Sequence, residues 1–163
     1  MRVGFGFDLH PLVGGRRLVL GGVEIPYDKG LVGHSDADIV LHAIGDAMLG
    51  AVGLGDLGTY FPDTDPSLKD IESKKIVKKI KELTLEKGYR CKNVDVTIVA
   101  QKPRLFPYIE EMRDNISELL DIEKSFVNLK ATTTEGLGII GKEEAMAAFA
   151  VVLMEHRYGN KNL

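Results

Sequence analysis

Two histidines and an aspartate stand where they could share one metal ion. Asp8 and His10 lie two apart in Arg2 to His10, a stretch whose alternation puts Val3, Phe5 and Phe7 on one face of a strand. In an extended segment Asp8 and His10 therefore point to the same side. His42 belongs to a second stretch, Gly33 to Asp56, where Asp38, His42 and Asp46 recur at every fourth residue and share one stripe of a helix. Two imidazoles, one carboxylate and an open position make the pattern of a catalytic zinc site, with substrate or water in the fourth place. The competing reading is that Asp8 and His10 merely end a strand while His42 packs by itself, and spacing leaves both open.

Other side chains suit anions. The helical stripe should line a cleft with His34 at its mouth. Ser35 reads as the N-cap, with Asp36 and Asp38 in the first turn and the helix N–H groups offered to a phosphate. Glu135 follows Thr132, Thr133 and Thr134 in a loop after a strand. A carboxylate there could hold Mg²⁺ or Mn²⁺ while hydroxyls and N–H groups bind phosphate, although threonine runs are also ordinary strand formers. Lys102, Arg104 and Lys142 are loop cations that could meet a phosphate or a polar base, and Asp63 and Asp65 in FPDTDP read as turn residues. No Ser–His or Cys–His pair suggests a protein nucleophile.

The elements that must position these groups are mixed strands and helices. Pro11 should close the first strand, and Arg17 to Ile25 reads as one or two strands broken by Gly21 and Gly22. Pro26 to Gly33 is a loop. Gly53 to Asp70 is a long Gly- and Asp-rich loop, and loops of that length are usually functional or mobile. Ile71 to Lys87 is an amphipathic helix with Ile76, Val77, Ile80 and Leu83 inward, ended by Gly88, and its lysines form a solvated face. Val94 to Ala100 is β-rich, Tyr108 to Leu120 is a second amphipathic helix, and Phe126 to Ala131 is a strand. Ala145 to Met154 is ambiguous: its alanines favour helix, while Phe149, Val151 and Val152 allow a buried strand.

A chain of 163 residues without internal repeat or linker fits one domain over residues 1–163. A net charge of −3 gives no dominant basic face, which argues against general nucleic-acid binding. The one cysteine, Cys91, rules out an intrachain disulfide and a cysteine-based zinc site, and reads as a packed or surface thiol. No signal-peptide pattern or membrane-spanning run is visible, so a cytoplasmic location is expected, or the plastid stroma if a transit peptide has been removed.

Strings along nearly the whole chain carry a resemblance. GFGFDLH at 4–10, IPYDKGL before HSDAD, LHAIGDAMLGA, GDLG, YFPDTDP, NVDVTIVAQKP and NLKATTTEGLG come in the order found in the 2-C-methyl-D-erythritol 2,4-cyclodiphosphate synthases of the non-mevalonate isoprenoid route. The resemblance implies an α+β fold, a mixed β-sheet with helices on one face, assembled as a homotrimer with sites at subunit interfaces. It also implies that the last segment is a strand. By position it implies zinc, one per subunit, on Asp8, His10 and His42. It places a second divalent cation near Glu135 and transition-state stabilisation at His34 and Thr133. Ribose contacts match Asp56 and Gly58. The cytidine pocket matches Ala100, Gln101, Lys102, Pro103, Arg104, Leu105 and Phe106 with Ala131, Thr132 and Thr133. Further substrate contacts match Ser35, Leu57, Phe61, Pro62, Asp63, Thr64, Asp65, Thr134, Ile139 and Lys142.

The implied activity is that of a phosphorus–oxygen lyase. It converts 4-diphosphocytidyl-2-C-methyl-D-erythritol 2-phosphate, a CDP-containing small molecule, into the 2,4-cyclodiphosphate with release of CMP. The chain departs from the family pattern at Phe5 (often His), Ala37 (commonly Gly), Ile139 (commonly aromatic) and Lys142 (commonly Arg), where a cation is kept but the bidentate fork is lost. The alternatives are a zinc-dependent hydrolase using Asp38 or Asp46 as general base, and a trimeric metal- or nucleotide-binding module without turnover.

Overall fold

The structure is a computed structural model that describes residues 1–157. In chain order it holds β1 (Arg2–Gly14), β2 (Leu18–Leu20), β3 (Val23–Ile25), β4 (Lys29–Leu31), α1 (Ile39–Val52), α2 (Leu57–Tyr60), α3 (Ser73–Glu86), β5 (Tyr89–Val99), α4 (Ile109–Leu120), β6 (Val127–Thr132), α5 (Gly138–Gly141) and β7 (Ala145–His156). Five strands form one sheet in the order β4-β1-β7-β5-β6. The β5–β6 pair is parallel and the others are antiparallel, so the sheet is mixed as expected. β2 and β3 make a separate hairpin around Gly21 and Gly22.

A close approach of strand to helix sets up the site. A Cβ built on Gly4 would stand 1.8 Å from the Ala47 carbonyl oxygen, and one on Gly6 would stand 1.9 Å from that of Ala43. Only glycine lets β1 lie this tightly against α1. α1 is buried on almost every side, from Ile39 to Val52, as a helix that is apolar all round must be.

The sheet has two unlike faces. Val94, Val96, Ile98, Ala148, Ala150 and Val152 are buried under the helices. On the opposite face Val3, Phe5, Phe7, Leu9, Phe149 and Val151 remain between 37% and 67% exposed, and the Phe149 ring lies 4.9 Å from Phe7 and 6.2 Å from Phe5. The apolar alternation of β1 therefore marks the bare face, while its glycines mark the core.

Several expectations are corrected. The N-cap of α1 is Asp38, whose carboxylate accepts from Val40 and Leu41 N–H at 3.1 Å each and from Gly21 and Gly22 at 2.9 and 2.7 Å. That helix end is filled by the chain's own acid, and Ser35 is not its cap. β1 runs past Pro11, which donates nothing but accepts from Val32 N–H at 2.9 Å. The Pro26–Gly33 segment contains β4, and the long loop after α1 contains α2 and a 3₁₀ turn at Pro66–Leu68. Ala145–His156 is the strand that the resemblance implied: it is hydrogen-bonded on both sides, by β1 and β5, and tertiary pairing overrides the helix preference of alanine. Cys91 is buried.

Candidate functional site

Asp8, His10 and His42 converge. Asp8 Oδ2 lies 3.1 Å from His10 Nε2 and 2.9 Å from His42 Nδ1, and the three candidate donor atoms all fall within 4.8 Å of one another. Among the described residues this is the only such group of three. Burial by itself would raise the Asp8 carboxyl, but the hydrogen bonds and charges of His10 and His42 win and hold it at about 2. The Asp8 hydrogen bond in turn raises the His10 imidazole above its usual value, against the effect of burial.

Each ring is fixed at its far nitrogen. His10 Nδ1 lies 2.7 Å from the Val32 carbonyl, and His42 Nε2 lies 2.8 Å from Ser73 Oγ and 3.1 Å from Ser35 Oγ. Rings held from behind, with two nitrogens and an oxygen turned inward, have the donor set and outer support of a divalent transition-metal site. The donors fit such an ion. Ser73 was not among the sequence candidates, because it lies 31 residues from His42 at the start of another helix. No local pattern announces it.

A cleft of about 410 Å³ surrounds this cluster and brings in His34, Ser35, Leu57, Phe61 and Asp63. His34 Nε2 is 3.4 Å from the Asp65 carbonyl, so it does stand at the cleft mouth. A second cleft, of about 610 Å³, is lined by residues 100–106, Ile109 and residues 129–133, which gathers the whole 100–106 and 131–133 set. Lys102 Nζ pairs with Glu143 at 3.2 Å, and Arg104 lies over the Phe106 ring at 5.8 Å.

The remaining candidates lie on exposed loops around the clefts. Asp56 caps α2 through Thr59 N–H and Oγ1, next to Gly58. Asp65 caps the following 3₁₀ turn through Ser67, after Pro62 and Thr64. Glu135, at φ +53°, accepts from Thr133 Oγ1 at 3.3 Å, and Thr134 Oγ1 donates to the Leu137 carbonyl at 2.7 Å. Gly136 N–H reaches Gln101 Oε1 at 3.1 Å and ties this loop to the 100–106 loop. Ile139, within α5, and Lys142, at its C-terminal end, are exposed. A single exposed carboxylate fits an ion that takes its other ligands from phosphate and water.

The two clefts do not merge within one chain. Asp8, Ala148, Ile98 and Ala131 form one row across β1, β7, β5 and β6. Three strand spacings therefore separate the metal cluster from the threonine loop, about 14 Å. The shared stripe of Asp38, His42 and Asp46 does not line one cleft either. Asp38 is fully buried with both oxygens taken by N–H groups, and Asp46 accepts from Leu57 N–H at 3.0 Å. Asp38 is therefore not available as the general base of a hydrolase, and Asp46 is not among the residues that line the metal cleft.

Comparison with known proteins places the chain clearly. The model of the YgbB family matches residues 1–155. A 2-C-methyl-D-erythritol 2,4-cyclodiphosphate synthase of Geobacter metallireducens is 57% identical over 157 residues, covering 96% of this chain and 100% of its own. A solved 2C-methyl-D-erythritol-2,4-cyclodiphosphate synthase in its CDP-bound form superposes with a TM-score of 0.88 at 35% identity, over 94% of this chain and 100% of that one. The CDP complex of IspF from Plasmodium falciparum gives 0.85 at 34% identity, over 96% and 97%.

Proposed function

The chain belongs to the YgbB family, and on that premise we propose that it cyclises 4-diphosphocytidyl-2-C-methyl-D-erythritol 2-phosphate to the 2,4-cyclodiphosphate and releases CMP. The observation that carries the reading is the Asp8–His10–His42 cluster, set in a cleft with His34 and standing in one sheet row with the threonine loop. Relatives named for this reaction supply its direction.

An oxygen of the substrate's 2-phosphate forms the new bond to the β-phosphorus. The bond from that phosphorus to the bridging oxygen breaks, and its electron pair leaves on CMP, so no water and no protein nucleophile takes part. The chain's task is to position and to neutralise. Asp8, His10 and His42 would hold Zn²⁺ and Glu135 would help hold Mg²⁺ or Mn²⁺. These cations supply the charge that offsets repulsion between two phosphates brought together. His34 and Thr133 steady the reacting phosphates, the 100–106 and 131–133 cleft takes the cytidine, and Asp56 and Gly58 meet the ribose. Zinc hydrolysis is not favoured: the relatives are synthases, Asp38 is buried under its N–H donors, and Asp46 does not line the metal cleft.

We further propose that this single domain works in the cytoplasm as a homotrimer, with the metal half of one chain facing the nucleotide half of its neighbour. The bare apolar sheet face and the three-strand gap between the halves support this. Phosphorus NMR of the reaction tests the activity, with the cyclic diphosphate plus CMP expected. A ring-opened diphosphate plus CMP would establish hydrolysis, and CDP binding without turnover would establish a binding module. Co-refolding His42→Ala with Thr133→Ala tests the shared site. Random ring assembly leaves about one site in four intact, whereas recovery of no activity in mixed trimers would place each site within one chain.

A further inference from the structure

The two histidines of the cluster are braced by different kinds of partner. His10 Nδ1 faces the Val32 carbonyl, which can only accept, so that nitrogen carries a hydrogen and Nε2 is the atom left to offer a lone pair to a cation that would be shared with Asp8. Val32 is itself pinned, its N–H donating to Pro11. His42 has no such backbone anchor. Its Nε2 faces Ser73 Oγ, and a serine hydroxyl can donate or accept, so the contact alone leaves the ring's tautomer open.

Asp36 removes that freedom. Its carboxylate accepts from Ser73 twice, from the backbone N–H at 3.1 Å and from the hydroxyl. The one Ser73 hydroxyl hydrogen is thereby spent, and the oxygen has only lone pairs left for His42. We propose that Ser73 and Asp36 act as positioning residues that hold His42 as its Nε2–H tautomer, Nδ1 lone pair inward, and so set the affinity of the cluster for a divalent cation. Ser73 is completely buried, so no water competes for the contact. Ser35 Oγ, 3.1 Å from the same nitrogen, is a second and longer brace that also accepts from Ala37 N–H.

The arrangement has a consequence for the surrounding loop. Ser73 is the first residue of α3, directly after the loop that carries Phe61 and Asp63 into the metal cleft. Asp36 N–H donates to the Ile71 carbonyl, and Asp70 N–H donates to that of His34. The His34–Asp36 turn and the α3 start are thus tied by several bonds, and His42 takes its orientation from that junction. His10 takes its orientation from the sheet edge.

The inference rests on reading the cluster as a metal centre, and zinc affinity tests both in separable ways. Zinc is titrated into metal-free protein against a chromophoric chelator, for the wild type, Ser73→Ala and Asp36→Asn. Loss of a partner behind a metal-bound histidine costs about 10- to 100-fold in affinity, and that loss is expected for both variants. Asp36→Asn is close to isosteric. If its amide oxygen keeps the Ser73 backbone N–H, its NH₂ faces Ser73 Oγ and turns the hydroxyl hydrogen toward His42, which presents the wrong tautomer. CDP affinity measured in excess chelator is expected to stay within about twofold, and a loss there equal to the zinc loss would make the role merely structural and overturn the proposal. Folded variants with zinc affinity within twofold of wild type would overturn it as well. Should either variant fail to fold, nitrogen-15 spectra of the zinc-loaded wild type decide. A His42 Nε2–H that exchanges slowly with solvent supports the brace, and one that exchanges like an exposed imidazole refutes it. A wild type that binds no zinc removes the metal reading and this inference together, an outcome distinct from all the others.

Discussion

At the metal cluster the ring nitrogens of His10 and His42 all have partners within the chain, Asp8 in front and Val32, Ser73 or Ser35 behind. At the threonine loop, one sheet width away, Thr132, Thr133 and Glu135 are exposed and bond mainly to each other and to nearby backbone. The first region is braced by a strand, two helices and glycine-tight packing before any ligand arrives. The second is a surface loop held to its neighbour chiefly by Gln101. A preorganised donor set pays its ordering cost during folding, whereas an open loop leaves contacts for a ligand or another chain to complete.

The contrast predicts where damage should fall. Gly6→Ala should do the most harm, because its Cβ would overlap the Ala43 carbonyl at 1.9 Å. Overpacking against backbone should cost about 3 kcal/mol or more, read as a lower denaturant midpoint with zinc binding lost. A variant as stable as the wild type would show that the strand–helix contact does not build the cluster.

His42→Ala should release zinc by more than about a hundredfold in affinity, beyond the 10- to 100-fold typical of losing an outer partner. CDP affinity in excess chelator should be unchanged and the fold retained. Elemental analysis finding undiminished zinc would break the comparison at its stronger end, and a matching loss of CDP affinity would show that the two regions are not independent.

Acid should discriminate next. In metal-free protein Asp8 is held at about 2, below the ordinary 3.8. A carboxyl lowered on folding adds stability above its unfolded value and loses it as pH falls from about 3.8 to about 2. The shift corresponds to about 2 kcal/mol. Asp8→Asn should flatten that part of the acid limb of a pH–stability curve, and an unchanged acid limb would show that the cluster does not hold the Asp8 carboxylate.

The smallest effect is expected at Ala37, which is fully buried at φ +56°, a conformation that glycine adopts without strain. Left-handed backbone costs a non-glycine residue about 1–2 kcal/mol, partly offset by the greater chain entropy that glycine loses on folding. Ala37→Gly should therefore raise stability by less than about 1 kcal/mol, measured by thermal unfolding. A fall would mean that the Ala37 methyl group contributes more by packing than its backbone strain costs.

Much of this molecule was legible in its residues. Alternation placed Asp8 and His10 on one side of a strand, helical spacing exposed the inward faces of α3 and α4, and family resemblance, not periodicity, picked out Ala100–Phe106 and Ala131–Thr133, which line the second cleft. These are local signals, carried by periods of two and of 3.6 residues or by contiguous strings. Tertiary structure decided the rest. Which face of β1 is the core depended on α1 settling on Gly4 and Gly6, so Phe5 and Phe7, which alternation could only put on one face, lie on the bare one. Asp38 displaced Ser35 as the cap because the Gly21–Gly22 turn came to share its carboxylate. The alanine-rich end became a strand because two ladders closed on it. Ser73 acquired its place behind His42 from 31 residues away. Each of these outcomes turns on a hydrogen bond or a close approach between segments distant in the chain, and no periodicity within either segment encodes such a meeting.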